Sequence, residues 1–144
     1  MTNPTRVILV ALFVAWGVVA FRLSAAQSTI QDVSMISLIA KPEAFDGKRV
    51  VTSGVLRIEF EGNILYLSKL DFDHRNSKNG LWIGYGGKVE GKSDLKEHDA
   101  YYQRLRGFTG RYVTVEATFS QANLGHLNCC SGALLNVTRV TPLE

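Results

Sequence analysis

The sequence predicts an all-β protein, a five-stranded barrel with one or two short helices, behind an N-terminal export segment. Three observations predict it. Residues 49–61 and 111–119 alternate apolar and polar side chains, the period-two pattern of half-buried strands. Between the third and fourth expected strands, Leu95, His98, Tyr102 and Leu105 fall at helical spacing. Residues 7–21, VILVALFVAWGVVAF, carry no charge.

Composition sets the outer limits. The chain has 144 residues, 46% apolar and 20% charged, which suits one packed domain and excludes a multidomain enzyme or a disordered chain. Two cysteines are too few for a disulfide scaffold or a cysteine-rich zinc module. No repeat or low-complexity tract interrupts the sequence.

The apolar run sets the expected location. As a helix it spans about 22 Å, short of the roughly 30 Å hydrocarbon core of a bilayer. Arg6 precedes it and Ser24-Ala25-Ala26 follows it, the order of a secretory signal cleaved before Gln27. The alternative is an uncleaved inner-membrane anchor through residues 7–21, with Arg22 reaching the interface. The expected division is therefore a signal or anchor at 1–26 and one domain at 27–144, periplasmic or secreted. The full chain has 16 basic and 13 acidic residues, for a net charge of +3; removing Arg6 and Arg22 leaves 14 against 13, or +1. A nearly neutral domain does not advertise a nucleic-acid partner through its net charge.

Along the domain, residues 27–33 are a polar lead-in. Asp32 or Ser34 caps a short helix over 34–41, where Met35, Leu38 and Ile39 share one face. Pro42 ends it, and Asp46-Gly47 makes a turn. In the first long strand, 49–61, Val50, Thr52, Gly54, Leu56, Ile58 and Phe60 share the expected inner face. Gly54 marks a bend that lets one strand serve both sides of a small barrel. Glu61-Gly62-Asn63 turns the chain into a second strand at 64–68. Residues 69–80 are charged and turn-rich and are expected to form a loop, before a third strand at 81–85. Asp94 and Glu97 frame a capping box for a helix over 95–106, which Gly107 stops. The fourth strand, 111–119, turns Val113, Val115, Ala117 and Phe119 inward. After a loop at 120–131, the fifth strand, 132–140, loses strict alternation, which predicts a bulge near Asn136.

Three strands, a helix and two strands, with a long glycine-bent first strand, is the layout of the OB-fold, a five-stranded Greek-key barrel. The run from Leu38 through Lys41-Pro42-Glu43-Ala44-Phe45-Asp46-Gly47-Lys48-Arg49-Val50, followed by Gly54, resembles the opening of exported bacterial OB-fold proteins. Phe60-Glu61-Gly62-Asn63, Leu65-Tyr66-Leu67-Ser68, Gly110-Arg111-Tyr112-Val113, Ser131-Gly132 and Asn136-Val137-Thr138-Arg139 extend the likeness over most of residues 33–140. The resemblance implies a fold and an exported location. That family has no assigned activity, so it implies no catalytic residue.

Candidate chemistry is sparse. Asp71, Asp73 and His74 could hold a divalent metal and support a metal-assisted enzyme, although the loop lacks the ligand count of an EF-hand. The competing reading is a solvated turn. Histidines at 74, 98 and 126 are scattered and no obvious paired carboxylates accompany them, so the sequence offers no support for acid–base catalysis. Gly84-Tyr85-Gly86-Gly87-Lys88 lacks the spacing of a phosphate loop. Cys129-Cys130 admits a vicinal disulfide, an intermolecular bond or two reduced thiols acting as small hydrophobes. OB-folds bind ligands on the outer face of the second and third strands. Here that face and its surroundings offer Arg57, Tyr66, Lys69, Arg75, Lys78 and Trp82, suited to stacking and pairing with a single-stranded nucleic acid or an oligosaccharide if Trp82 is open. The leading expectation is a non-enzymatic module with no cofactor and a protein or cell-envelope partner.

Overall fold

The computed structural model describes residues 29–84 and 92–144, with backbone alone over 92–98. The expected export segment and possible anchor lie outside the described residues. So do residues 85–91, which include most of the glycine turn, and the side chains of Asp94, Leu95, Glu97 and His98. Among the described residues no helix is long and apolar enough to cross a membrane.

The polar lead-in contains a short strand that alternation could not reveal. This strand, β1 (Gln31–Asp32), runs parallel to the start of β2 (Arg49–Arg57), with Gln31 opposite Val50. Helix α1 (Met35–Ala40) follows, and the Ser34 hydroxyl accepts from the Ser37 amide at 3.2 Å. This satisfies one of the donors a helix start leaves open. Its apolar face buries Met35 and Leu38. Gly47, at φ 72°, makes the turn into β2.

Five strands close the barrel. After β2 come β3 (Ile64–Tyr66), β4 (Gly80–Ile83), β5 (Tyr112–Ser120) and β6 (Ala133–Pro142), in the order β2-β3-β4-β6-β5, with β5 pairing back onto β2. All these pairings are antiparallel except β4 with β6, which is parallel. The chain is an OB-fold-like barrel, with helix α3 (Lys92–Arg106) between its third and fourth strands.

Gly54 is where β2 changes sides. Residues from Arg49 to Val55 pair with β5, and Val55 to Arg57 pair with β3. A Cβ on Gly54 would meet the Tyr66 carbonyl oxygen at 2.4 Å and the Met35 methyl at 2.6 Å. No larger residue allows this close approach of β3 and α1. The expected bulge is also present. Register shifts between Glu116 and Thr118 on β5, opposite Asn136, whose φ is 49°.

The barrel interior holds Val50, Leu56, Ile58, Leu65, Leu81, Ile83, Val113, Val115, Ala117, Phe119 and Leu134. Leu38 enters from α1 and Leu105 from α3. These are the faces that the sequence alternation assigns, with one exception. Strand β2 ends at Arg57, and Phe60 lies outside it, exposed in the turn. Glu61 takes φ 54° and the Gly62 amide bonds the Glu59 carbonyl at 3.2 Å, so the period of two stops before Phe60.

A second correction concerns residues 69–80. They form helix α2 (Lys69–His74) and a 3-10 turn over Ser77–Asn79 rather than an open loop. Ser68 caps α2, and Arg75 ends it in a left-handed conformation, φ 54°. This helix builds a second apolar cluster on the outside of the barrel, of Val55, Ile64, Tyr66 and Cys130, against which Phe72, Trp82 and Cys129 pack.

Candidate functional site

The outer face of β3 and β4 is covered, and α2 is the cover. Alternation sends Leu65, Leu81 and Ile83 into the barrel and Ile64, Tyr66 and Trp82 outward. Phe72 of α2 then sets its ring edge-on to Tyr66, centroids 5.9 Å apart at 84°. Tyr66 is only 2% exposed, and this burial pushes its phenol above the ordinary tyrosine range although Arg57 opposes the shift. It cannot stack a base or a sugar in this arrangement.

The cations expected to grip a ligand are engaged within the chain. Arg57 lies with its Cζ 4.0 Å from the centre of the Phe72 ring and 5.7 Å from that of Tyr66. It also donates to the Phe72 carbonyl at 2.6 Å and pairs with Glu59 at 3.5 Å. Its side chain is 12% exposed. A guanidinium between two aromatic faces joins α2 to the barrel through cation–π attraction and a charge-assisted hydrogen bond. Arg75 pairs with the same Glu59 at 2.8 Å. Lys69 pairs with Asp73 one helical turn on and lies 4.9 Å from the Phe72 ring. Lys78 donates to the Asn128 carbonyl at 2.9 Å, tying the β5–β6 loop down. Trp82 is half-buried beneath Gly125 of that loop, where a Cβ would lie 2.6 Å from the indole.

The three expected metal ligands do not converge. Asp71 turns inward on the first turn of α2, buried, and accepts hydrogen bonds from the Ser68 hydroxyl and from the Asn76 and Asn79 amides at 3.0 and 2.9 Å. The Ser68 bond leads the effects that hold its carboxyl below the usual range; burial opposes them. Asp73 is exposed and paired with Lys69, and His74 is exposed at the helix end. Among the described residues no group of three His, Cys, Asp or Glu side chains is placed to hold a metal. Asp71 therefore shapes the α2 turn, and its partners are the serine and the asparagines beside it.

The open part of this end of the barrel is its rim. The β2–β3 turn raises Phe60, 89% exposed, and the β5–β6 loop raises Leu127, 86% exposed. The two loops meet where His126 Nε2 lies 3.7 Å from a Glu61 carboxylate oxygen, an ion pair when the imidazole is protonated. Leu127 and Asn128 both take left-handed backbone, φ 53° and 55°. Such a conformation is costly for a leucine and points to a loop held by its surroundings. That hold comes from the Lys78 bond to Asn128, the Ser131 hydroxyl bond to the Lys78 carbonyl at 2.7 Å and the Cys130 amide bond to the Leu124 carbonyl at 2.9 Å. Sequence reasoning missed both rim residues. Phe60 continued an alternating run, and the Glu61-Gly62-Asn63 turn directly after it was the signal that the run had ended.

On the far side, Tyr101, Arg104 and Leu105 of α3 face Thr138, Arg139 and Val140 of β6 around a cleft of about 120 Å³. That is below the roughly 300 Å³ at which small-molecule pockets begin. Nearby, Glu116 accepts from Arg49 at 2.7 Å and from Arg139 at 3.1 Å, and also bonds the Thr138 hydroxyl at 3.0 Å. The Arg49 bond leads the effects that lower its carboxyl from the usual value. This network zips β2, β5 and β6 together on the outer wall beside the bulge.

No protein-family model matches the chain, and no curated protein matches it. Among solved structures the chain is similar to a putative aspartyl-tRNA synthetase from Leishmania major Friedlin, with 16% identity and a TM-score of 0.43. The similarity covers 83% of this chain and 22% of that one, so the chain spans under a quarter of that structure's length.

Proposed function

We propose that this chain is an exported, non-enzymatic OB-fold module that docks a protein of the cell envelope on the rim formed by the β2–β3 turn and the β5–β6 loop. The observation that carries the reading is the pair Phe60 and Leu127, the two most exposed large apolar side chains among the described residues, raised by two loops that touch through Glu61 and His126. Burying them against a partner would contribute about 3–6 kcal/mol. Loops on a rigid barrel are where such folds carry recognition. The covered face of β3 and β4 and the internal pairing of Arg57, Lys69, Arg75 and Lys78 favour a protein partner over a stacked, charged polymer. Export rests on the charge-flanked apolar run at 7–21 and on the resemblance to exported bacterial OB-fold proteins.

The test is photo-cross-linking in the cells that make the protein, with a photoreactive phenylalanine at position 60 or 127 and a control at exposed Ser53 on the barrel wall. Discrete protein adducts from both rim positions, absent from the control, are expected. Leu127→Ser should weaken the adducts formed from position 60, and Phe60→Ser those formed from position 127, while each melts as the parent does. Titration of labelled oligonucleotides and oligosaccharides is expected to show no saturable binding. Oligonucleotide binding that weakens steeply with salt would overturn the reading, as would adducts equal at rim and control. The mass of the exported protein should correspond to a start at Gln27; a start at Met1 would establish the anchor instead.

A further inference from the structure

The docking rim makes no use of the Cys129 and Cys130 thiols. Both are free thiols, and their Sγ atoms lie 3.2 Å apart. Packing accounts for Cys130, which is 1% exposed among Val55, Ile64 and Tyr66. Cys129 packs against the edge of the same cluster but is only half-buried, and it brings a second sulfur to the same place. The pair is thus reachable from one side, through Cys129. We infer that Cys129 and Cys130 form a redox-modification site, a vicinal dithiol that closes reversibly to a disulfide by exchange with a small-molecule disulfide.

The exchange proceeds in two displacements. Cys129 loses its proton to solvent, and its thiolate attacks one sulfur of the external disulfide. The Cys129–sulfur bond forms, the external S–S bond breaks, and one thiol leaves. Cys130 then attacks Cys129 Sγ, its proton passing to the departing thiolate. The Cys129–Cys130 bond forms, the mixed disulfide breaks, and the second thiol leaves. Two protein thiols are oxidised and one external disulfide is reduced.

The geometry assigns the order. Burial pushes the Cys130 thiol up, so the first attack falls to Cys129. The second step is intramolecular across 3.2 Å, where proximity compensates for a poor thiol. Lys78, whose ammonium bonds the Asn128 carbonyl at 2.9 Å, favours negative charge on Cys130 as it reacts. Closure shortens the sulfur separation to about 2.05 Å. The small ring it makes is strained, which keeps the bond reducible. Leu127 and Asn128 stand in left-handed conformations directly before the pair.

The experiment incubates the reduced full chain with glutathione disulfide and follows intact mass and peptide maps. The parent should lose about two mass units, the two thiol hydrogens, and yield a cyclised peptide containing Cys129 and Cys130, with dithiothreitol restoring the original mass. Cys130→Ala should stop at a glutathione adduct on Cys129. Cys129→Ala should react at least about tenfold more slowly than Cys130→Ala. Both variants should melt within a few degrees of the parent, which separates chemistry from unfolding. A parent that accumulates the mixed adduct, or that forms only intermolecular dimers, would overturn the inference. So would a Cys129→Ala variant that reacts as fast as Cys130→Ala. Because mass reads closure alone, this outcome is independent of the cross-linking that tests the docking rim.

Discussion

Replacing Asp71 by alanine should unfold the cover of the barrel face before it unfolds the barrel. The carboxylate accepts from the Ser68 hydroxyl and from the Asn76 and Asn79 side-chain amides, and it is only 8% exposed. Each hydrogen bond to a charged acceptor contributes about 1.5–3 kcal/mol. The three are not additive, and the charge loses hydration when buried. A net loss of about 3 kcal/mol follows for Asp71→Ala, because two asparagine amides are left without their acceptor. At about 4 °C per kcal/mol for a domain of this size, the melting temperature should fall by about 12 °C. Asp71→Asn retains an oxygen for the amides, and its loss should be about 1 kcal/mol.

The pH dependence carries a definite sign. The folded-state pKa of Asp71 lies below its unfolded value, so the unfolded chain takes up the proton first on acidification. The advantage of the parent over Asp71→Asn should be complete above about pH 5. It should shrink as pH falls through the ordinary carboxylate range and vanish below the lowered folded value. Urea unfolding followed by far-ultraviolet circular dichroism, from neutral to acidic pH, measures both quantities. A loss for Asp71→Ala below about 0.5 kcal/mol would refute the capping role. A divalent metal that raises the melting temperature of the parent but not of Asp71→Ala would restore Asp71 as a ligand.

Two further perturbations test the same end of the barrel. Arg57→Ala removes the guanidinium between Phe72 and Tyr66 and should destabilise by about 2 kcal/mol; Arg57→Lys should recover under half of that, since an ammonium lacks the planar stack. Denaturant titration measures both, and equal stability of Lys and Arg would contradict stacking. Gly125→Ala must place a Cβ 2.6 Å from the Trp82 indole at φ 73°. It should cost about 2–3 kcal/mol and shift Trp82 fluorescence to the red; an unchanged spectrum and midpoint would show that the loop does not cover the indole.

The fold was legible because a barrel this small is written in local patterns. Val113, Val115, Ala117 and Phe119 are buried as alternation requires, since every second residue of a strand faces the same way. Gly54, the Ser34 cap and the bulge at Asn136 each answer to a local rule of backbone geometry or hydrogen bonding. The candidate site was much less legible. Arg57, Tyr66 and Trp82 do share the outer side of the barrel, as strand phase implies, but phase says nothing of what lies on top of it.

The amino-acid sequence by itself determined the class of fold, the core faces of the strands apart from Phe60, and the near-neutral charge of the chain after the apolar N-terminal run. Those follow from periodicity and composition, which each residue carries in its own neighbourhood. Only the tertiary structure decided that Tyr66 is closed, that Arg57 and Lys78 are committed to the chain, and that Phe60 and Leu127 stand at one rim. Residues 60 and 127 are brought to one rim by barrel closure, and the side chain of residue 72 covers residue 66 through a helix that caps its own turn. Those are contacts between distant or differently oriented segments, set by the packing of the whole chain.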